Sequence, residues 1–205
     1  MAENIIKTIE ELYNLYKQPT ERAQRKELQR LDKHCRDFIA LSPFLVMGSD
    51  NGDGNADASP RGDAPGFVRV LDDTTLLLPD RPGNNRLDTL TNVICNPAVG
   101  LIFMVPGVNE TLRINGNAVI TTEPDLLAPM AVNGKLPLSA LMIEVKSVYM
   151  HCAKALIRSK LWAEETKVER SAFPTLGKVL ADQIGDMDAQ ATDRALEAAY
   201  KKTLY

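Results

Sequence analysis

The chain has 205 residues, 44% hydrophobic and 25% charged, which is the balance of an ordinary folded domain and excludes disordered, collagen-like and disulfide-scaffold classes. Its 24 basic and 27 acidic residues leave a formal charge of −3, so no broad nucleic-acid surface is expected. Seven basic residues face twelve acidic ones between positions 41 and 150, so each arginine there needs a specific reason.

The N-terminus is expected to be helical. Ile5, Ile6, Ile9, Leu12, Tyr13 and Tyr16 recur at three- and four-residue spacing, the pattern of a buried stripe. Pro19-Thr20 breaks the run, and Thr20 can cap a second helix whose apolar face is Leu28, Leu31, Cys35 and Phe38. Residues 1–40 thus read as a helical extension packed on the domain formed by 41–205.

From Ser42 the periodicity changes. Short apolar or alternating runs predict strands over 44–49, 56–59, 67–73, 75–79, 99–105, 111–122 (interrupted by Gly116) and 140–152, with a short helix over 86–93. About seven strands with a single helix among them suit a closed antiparallel barrel better than a doubly wound sheet. Helical patterns follow Cys152 and again over 188–205, so the fold class is mainly β with flanking helices (α+β). The cluster 51–55 reads as a turn. A calcium loop built on Asp50, Asp53 and Asp57 is disfavoured because its twelfth position is Arg61, not Glu.

No apolar run reaches the roughly 18 residues of a membrane helix, and a signal peptide's basic and apolar regions are missing. Cys35, Cys95 and Cys152 are odd in number and scattered, so reduced thiols in a cytoplasmic protein are expected, without a zinc site. His34 and His151 are the only histidines, and no nucleophile elbow, metalloprotease motif or P-loop is present.

The most unusual polar stretch is 79–92, PDRPGNNRLDTLTN, where Arg81, Asn84, Asn85 and Arg86 crowd a strand end and a helix start. Helix N–H groups together with a guanidinium bind phosphate. An Asx-rich helix cap with solvated arginines is the competing reading. Ser59 and Arg61 end one strand, and Arg69 and Arg113 lie within two others. They share an anionic target only if their side chains converge.

Three motifs in one order carry a resemblance: Ser59-Pro60-Arg61-Gly62-Asp63 with Pro65 to Val70, Pro79 to Asp88 with Asn92, and Glu110 to Gly116. Together with His151 to Trp162 they make the chain resemble the pyridoxamine 5'-phosphate oxidase-like, FMN-binding split-barrel family, in an uncharacterised branch. The resemblance implies a split β-barrel homodimer with FMN in the groove between subunits. It places the phosphate-binding segment on Asn84, Asn85 and Arg86, with Asn85 standing where the family has a basic residue and Arg81 compensating. Ser59 and Arg61 fall where members contact the phosphate or ribityl chain, and Arg113 where a strand faces the flavin. Arg69 joins these candidates, and His151 and Trp162 close the ring from the other subunit. An FMN-dependent oxidoreductase drawing on NADH or NADPH is implied. The alternatives are a non-catalytic flavin carrier and a split barrel using heme or F420. Vitamin B6 oxidase activity is disfavoured, because EAAYKKTLY at the C-terminus lacks that enzyme's arginine-containing segment.

Overall fold

A computed structural model describes residues 4–204. Seven strands form one antiparallel sheet: β1 (Phe44–Asp50), β2 (Ala56–Gly62), β3 (Arg69–Val70), β4 (Thr75–Pro79), β5 (Ala98–Met104), β6 (Thr111–Thr121) and β7 (Ala140–His151), in the order β2-β1-β5-β6-β7-β4-β3. The architecture is a multi-stranded antiparallel sheet flanked by helices, consistent with a split barrel. Each expected strand is present, but the run 67–73 pairs only at Arg69 and Val70. Asp72 explains the early end: its carboxylate accepts from the backbone N–H of Thr74, at 2.7 Å, and from its hydroxyl, folding a tight turn into β4.

Period-two alternation sorts the sheet into two faces. One row across it reads Ser59, Met47, Leu101, Ile114 and Val148, and the last four are fully buried. The adjacent row reads Pro60, Val46, Ile102, Arg113 and Tyr149, none of them fully buried. The inner face carries the core, and α3 (Lys33–Leu41) adds Cys35, Phe38 and Ile39 to it. The β1–β2 connection is a turn, as expected: Gly52 and Gly54 adopt φ of 88° and 81°, and the Asp50 carboxylate accepts from the Gly52 N–H at 2.8 Å.

The N-terminal region departs from the sequence reading twice. The stripe on α1 (Ile9–Leu15) is not buried: Ile9 is 73% exposed and Tyr16 65%. A seven-residue helix closed by a Thr8–Glu11 capping box satisfies its own first turn without tertiary support. Thr20 does cap α2 (Glu21–Arg25), but that helix ends after five residues. Leu28 instead pairs with Val148 of β7 through two backbone hydrogen bonds, and a separate Asp32 cap starts α3. The backbone gains sheet bonds at Leu28 that a continuing helix would forgo.

Burial and the neighbouring Asp32 carboxylate push the Cys35 thiol up to about 11, whereas Cys95 and Cys152 are exposed. Thiol labelling of the native protein should therefore modify two cysteines rapidly and Cys35 only on unfolding. Equal rates for all three would show that α3 does not pack as described.

Candidate functional site

At one end of the inner face, the end of β2 and the end of β4 approach the loop 80–87 and the start of α4 (Asp88–Cys95). They enclose a cleft of about 630 Å³. Its lining includes Ser59, Arg61, Arg81, Asn84, Asn85 and Arg86, so six of the ten candidate residues come together. β-Strand alternation explains Ser59 and Arg61. Both share the inward face, but they sit on the edge strand β2 beyond the packed core.

The loop that carries the other four is shaped by two left-handed residues, Asn85 and Leu87, both at φ 59°. Asparagine tolerates that conformation; leucine does so rarely, and strain of this kind marks positions held by their surroundings. Asn84 Oδ1 accepts from the Arg86 N–H at 3.1 Å. Leu87 offers no side-chain cap to α4, so the first-turn N–H groups of that helix receive none.

Each cleft arginine has its own carboxylate. Arg61 Nη1 donates to Asp80 at 3.0 Å, Arg81 Nε to Asp63 at 2.7 Å, and Arg86 Nε to Asp88 at 2.8 Å. Asp88, with Asp57 beyond it, holds the Arg86 guanidinium above its ordinary pKa. Arg81 is a strut, since it also donates to the Met130 carbonyl at 2.9 Å and so ties three loops together. The compensating charge expected of it is committed to that role. Arg61 differs: its side chain is 19% exposed, and its buried Nε makes no hydrogen bond. Arg61 lines the cleft, and a guanidinium N–H left without a partner beside it fits an anion site, because leaving it unpaired is costly. The cleft's three aspartates, Asp57, Asp80 and Asp88, oppose that fit, so an anion must compete with them.

The remaining four candidates lie elsewhere in this chain. Arg69 is exposed and donates to the Pro129 carbonyl at 3.3 Å. Trp162 follows α6 (Lys154–Ser159), and its Nε1 donates to the Val108 carbonyl at 2.8 Å. Arg113 and His151 occupy the outer face, opposite to Arg61 and Ser59. The sequence reading passed over Thr89, which is 3% exposed and hydrogen-bonded to Ser59 Oγ at 3.0 Å. It also passed over Leu136 and Leu138, which border the cleft with Leu138 87% exposed. Helical phase within 86–93 offered a signal for Thr89; nothing local offered one for the leucines.

No match is found among curated proteins. Solved structures to which the chain is similar include HupZ of Group A Streptococcus, at 17% identity and TM-score 0.49, covering 58% of this chain and 92% of that one. An FMN-binding protein from Syntrophomonas wolfei has 11% identity and TM-score 0.44, with 57% and 83% covered. An F420 reductase has 14% identity and TM-score 0.41, with 57% and 94% covered. The family profile described as Pyridoxamine 5'-phosphate oxidase matches residues 31–152, more than half of the chain. That span runs from Leu31 beneath α3 to the end of β7 and contains every strand of the sheet and the whole of the loop 80–87. The chain belongs to the pyridoxamine 5'-phosphate oxidase-like, flavin-binding split-barrel family.

Proposed function

We propose that the protein binds FMN with the phosphate end in the cleft and acts as an FMN-dependent oxidoreductase. The observation that carries this reading is Arg61, whose buried Nε lacks a partner while its Nη1 is held by Asp80. Ser59, Asn84, Asn85 and Arg86 supply further donors around it, and the uncapped start of α4 adds backbone N–H groups. Phe67, Leu90, Leu136 and Leu138 give the cleft an apolar side suited to a flat aromatic ring. When bound, a flavin supplies the electron transfer itself, so the protein needs to bind, orient and exclude water instead of supplying a strong base. Exposed Leu138 at the rim suits a homodimer in which a second copy covers the open side.

The test is spectroscopic. The purified protein, or apoprotein titrated with FMN, should show the two-banded visible absorption of bound oxidised flavin. A colourless protein that takes up no FMN would overturn the reading. Anaerobic mixing with NADH and with NADPH should bleach that absorption. Bound FMN that neither donor reduces would favour a carrier over an enzyme using these donors.

A further inference from the structure

Outside the cleft, three basic side chains gather around one ring on the outer face. Lys26 Nζ lies 4.9 Å from the centroid of the Tyr149 ring and the Arg113 guanidinium 5.8 Å from it. The His151 ring centroid is 4.9 Å from that of Tyr149. The fold brings them together from distant positions. Arg113 faces Tyr149 across β6 and β7, and His151 is two residues further along the same face of β7. Lys26 arrives because Leu28 pairs with Val148, and its ammonium donates to the Met150 carbonyl at 2.8 Å.

The contrast with the cleft is informative. All three cleft arginines are paired with aspartates, in a chain whose acidic residues outnumber its basic ones. Among the described residues, no carboxylate pairs with Lys26, Arg113 or His151. Arg113 finds only the Asn115 amide oxygen, at 3.2 Å. Burial lowers the His151 pKa, and the two charges that lower it further are Lys26 and Arg113. Neighbouring cations repel one another, and an oxyanion placed among them removes that repulsion while accepting charge-assisted hydrogen bonds.

We propose that Lys26, Arg113 and His151 form a second anion-binding site, on the opposite face of the sheet from the cleft, for the carboxylate or phosphate group of a ligand. The site uses no residue of the cleft, and although the family resemblance sets Arg113 and His151 near the flavin ring, competition with FMN separates the two roles. The tyrosine ring holds two of the donors through cation–π contacts, and each carries more N–H groups than the one it gives to Met150 or Asn115.

The two histidines make the test direct. Imidazole NMR signals of the full-length protein would be followed at fixed pH and ionic strength while sodium phosphate, and separately sodium acetate, replaces chloride. His34, exposed on α3, serves as the internal control. The expected result is a saturable shift of His151 with at least one anion and none of His34, with the more effective anion distinguishing phosphate from carboxylate recognition. The Lys26→Met/Arg113→Met double variant should weaken the response about tenfold or more, as loss of two charge-assisted hydrogen bonds implies. A linear shift shared by both histidines would overturn the proposal, whatever the behaviour of the variant. A His151 shift that follows protein concentration, or a phosphate response abolished by FMN, would also overturn it. The first would assign the cluster to contact with a second copy, the second to the flavin.

Discussion

Gly116→Ala is expected to lower stability by about 3 kcal/mol and the melting temperature by roughly 10 °C. Gly116 closes the Glu110 to Gly116 motif, where β6 meets a bulge. Asn115 pairs with Ser147 and Gly116 with Val145, so Lys146 is the extra residue in β7. A methyl group on Gly116 would stand 2.3 Å from the Glu144 carbonyl oxygen and 3.1 Å from the Ile143 side chain. The first contact is with backbone, which cannot swing away, so the two longest strands of the sheet would have to separate locally. Thermal denaturation of the purified variant checks this. A melting temperature within a degree or two of wild type would mean that the bulge relaxes freely. Gly100, whose added methyl would meet nothing closer than 3.5 Å, provides the control substitution on the neighbouring strand.

Arg61→Ala carries the largest expected effect on binding. If Arg61 holds the phosphate of FMN, its loss should weaken FMN affinity by about 1.5–3 kcal/mol, read from the dissociation constant in a flavin-fluorescence titration. Arg86→Ala should cost less, since that side chain is 73% exposed and solvent screens it. Arg61→Lys tests the geometry: it keeps the charge but loses the planar fork, so affinity should be only partly restored. Removing Arg61 also leaves Asp80, 22% exposed, without its partner. Asp80→Asn in the Arg61→Ala background relieves that charge and separates a folding defect from a binding defect. Unchanged FMN affinity in Arg61→Ala would remove this residue from the site.

The comparison of Arg61 with Arg113 indicates how far the sequence could be read. Both are arginines in short motifs that the fold places on strands, Arg61 between Pro60 and Gly62 and Arg113 between Leu112 and Ile114. Their strands lie three positions apart in the sheet order, separated by β1 and β5. Only the pairing register reveals that Arg61 shares the face of Leu45 and Phe103 whereas Arg113 shares the face of Val46 and Ile102. One residue of register reverses the face, and register depends on partners distant in sequence. The α1 stripe failed for a related reason. Periodicity identifies an apolar side but not whether another element covers it, and Ile5, Ile9 and Tyr16 are exposed in this chain.

What the sequence determined by itself was local. The strands and their turns, the short helix after the Asn84-Asn85-Arg86 segment and the family motifs all follow from patterns within about a dozen residues, where backbone propensity and alternation act directly. What only the tertiary structure decided was which charges meet. The carboxylates opposite Arg61 and Arg81 come from loops 19 and 18 residues away, and Lys26 reaches the Met150 carbonyl across 124 residues. Coulomb and hydrogen-bond interactions depend on distance in space, so the electrostatic character of each site emerges only after the sheet has brought its strands together. The acidic excess between positions 41 and 150 therefore has a particular expression in the fold. It neutralises the arginines of the cleft and, among the described residues, leaves Lys26 and Arg113 of the outer-face cluster without a carboxylate partner.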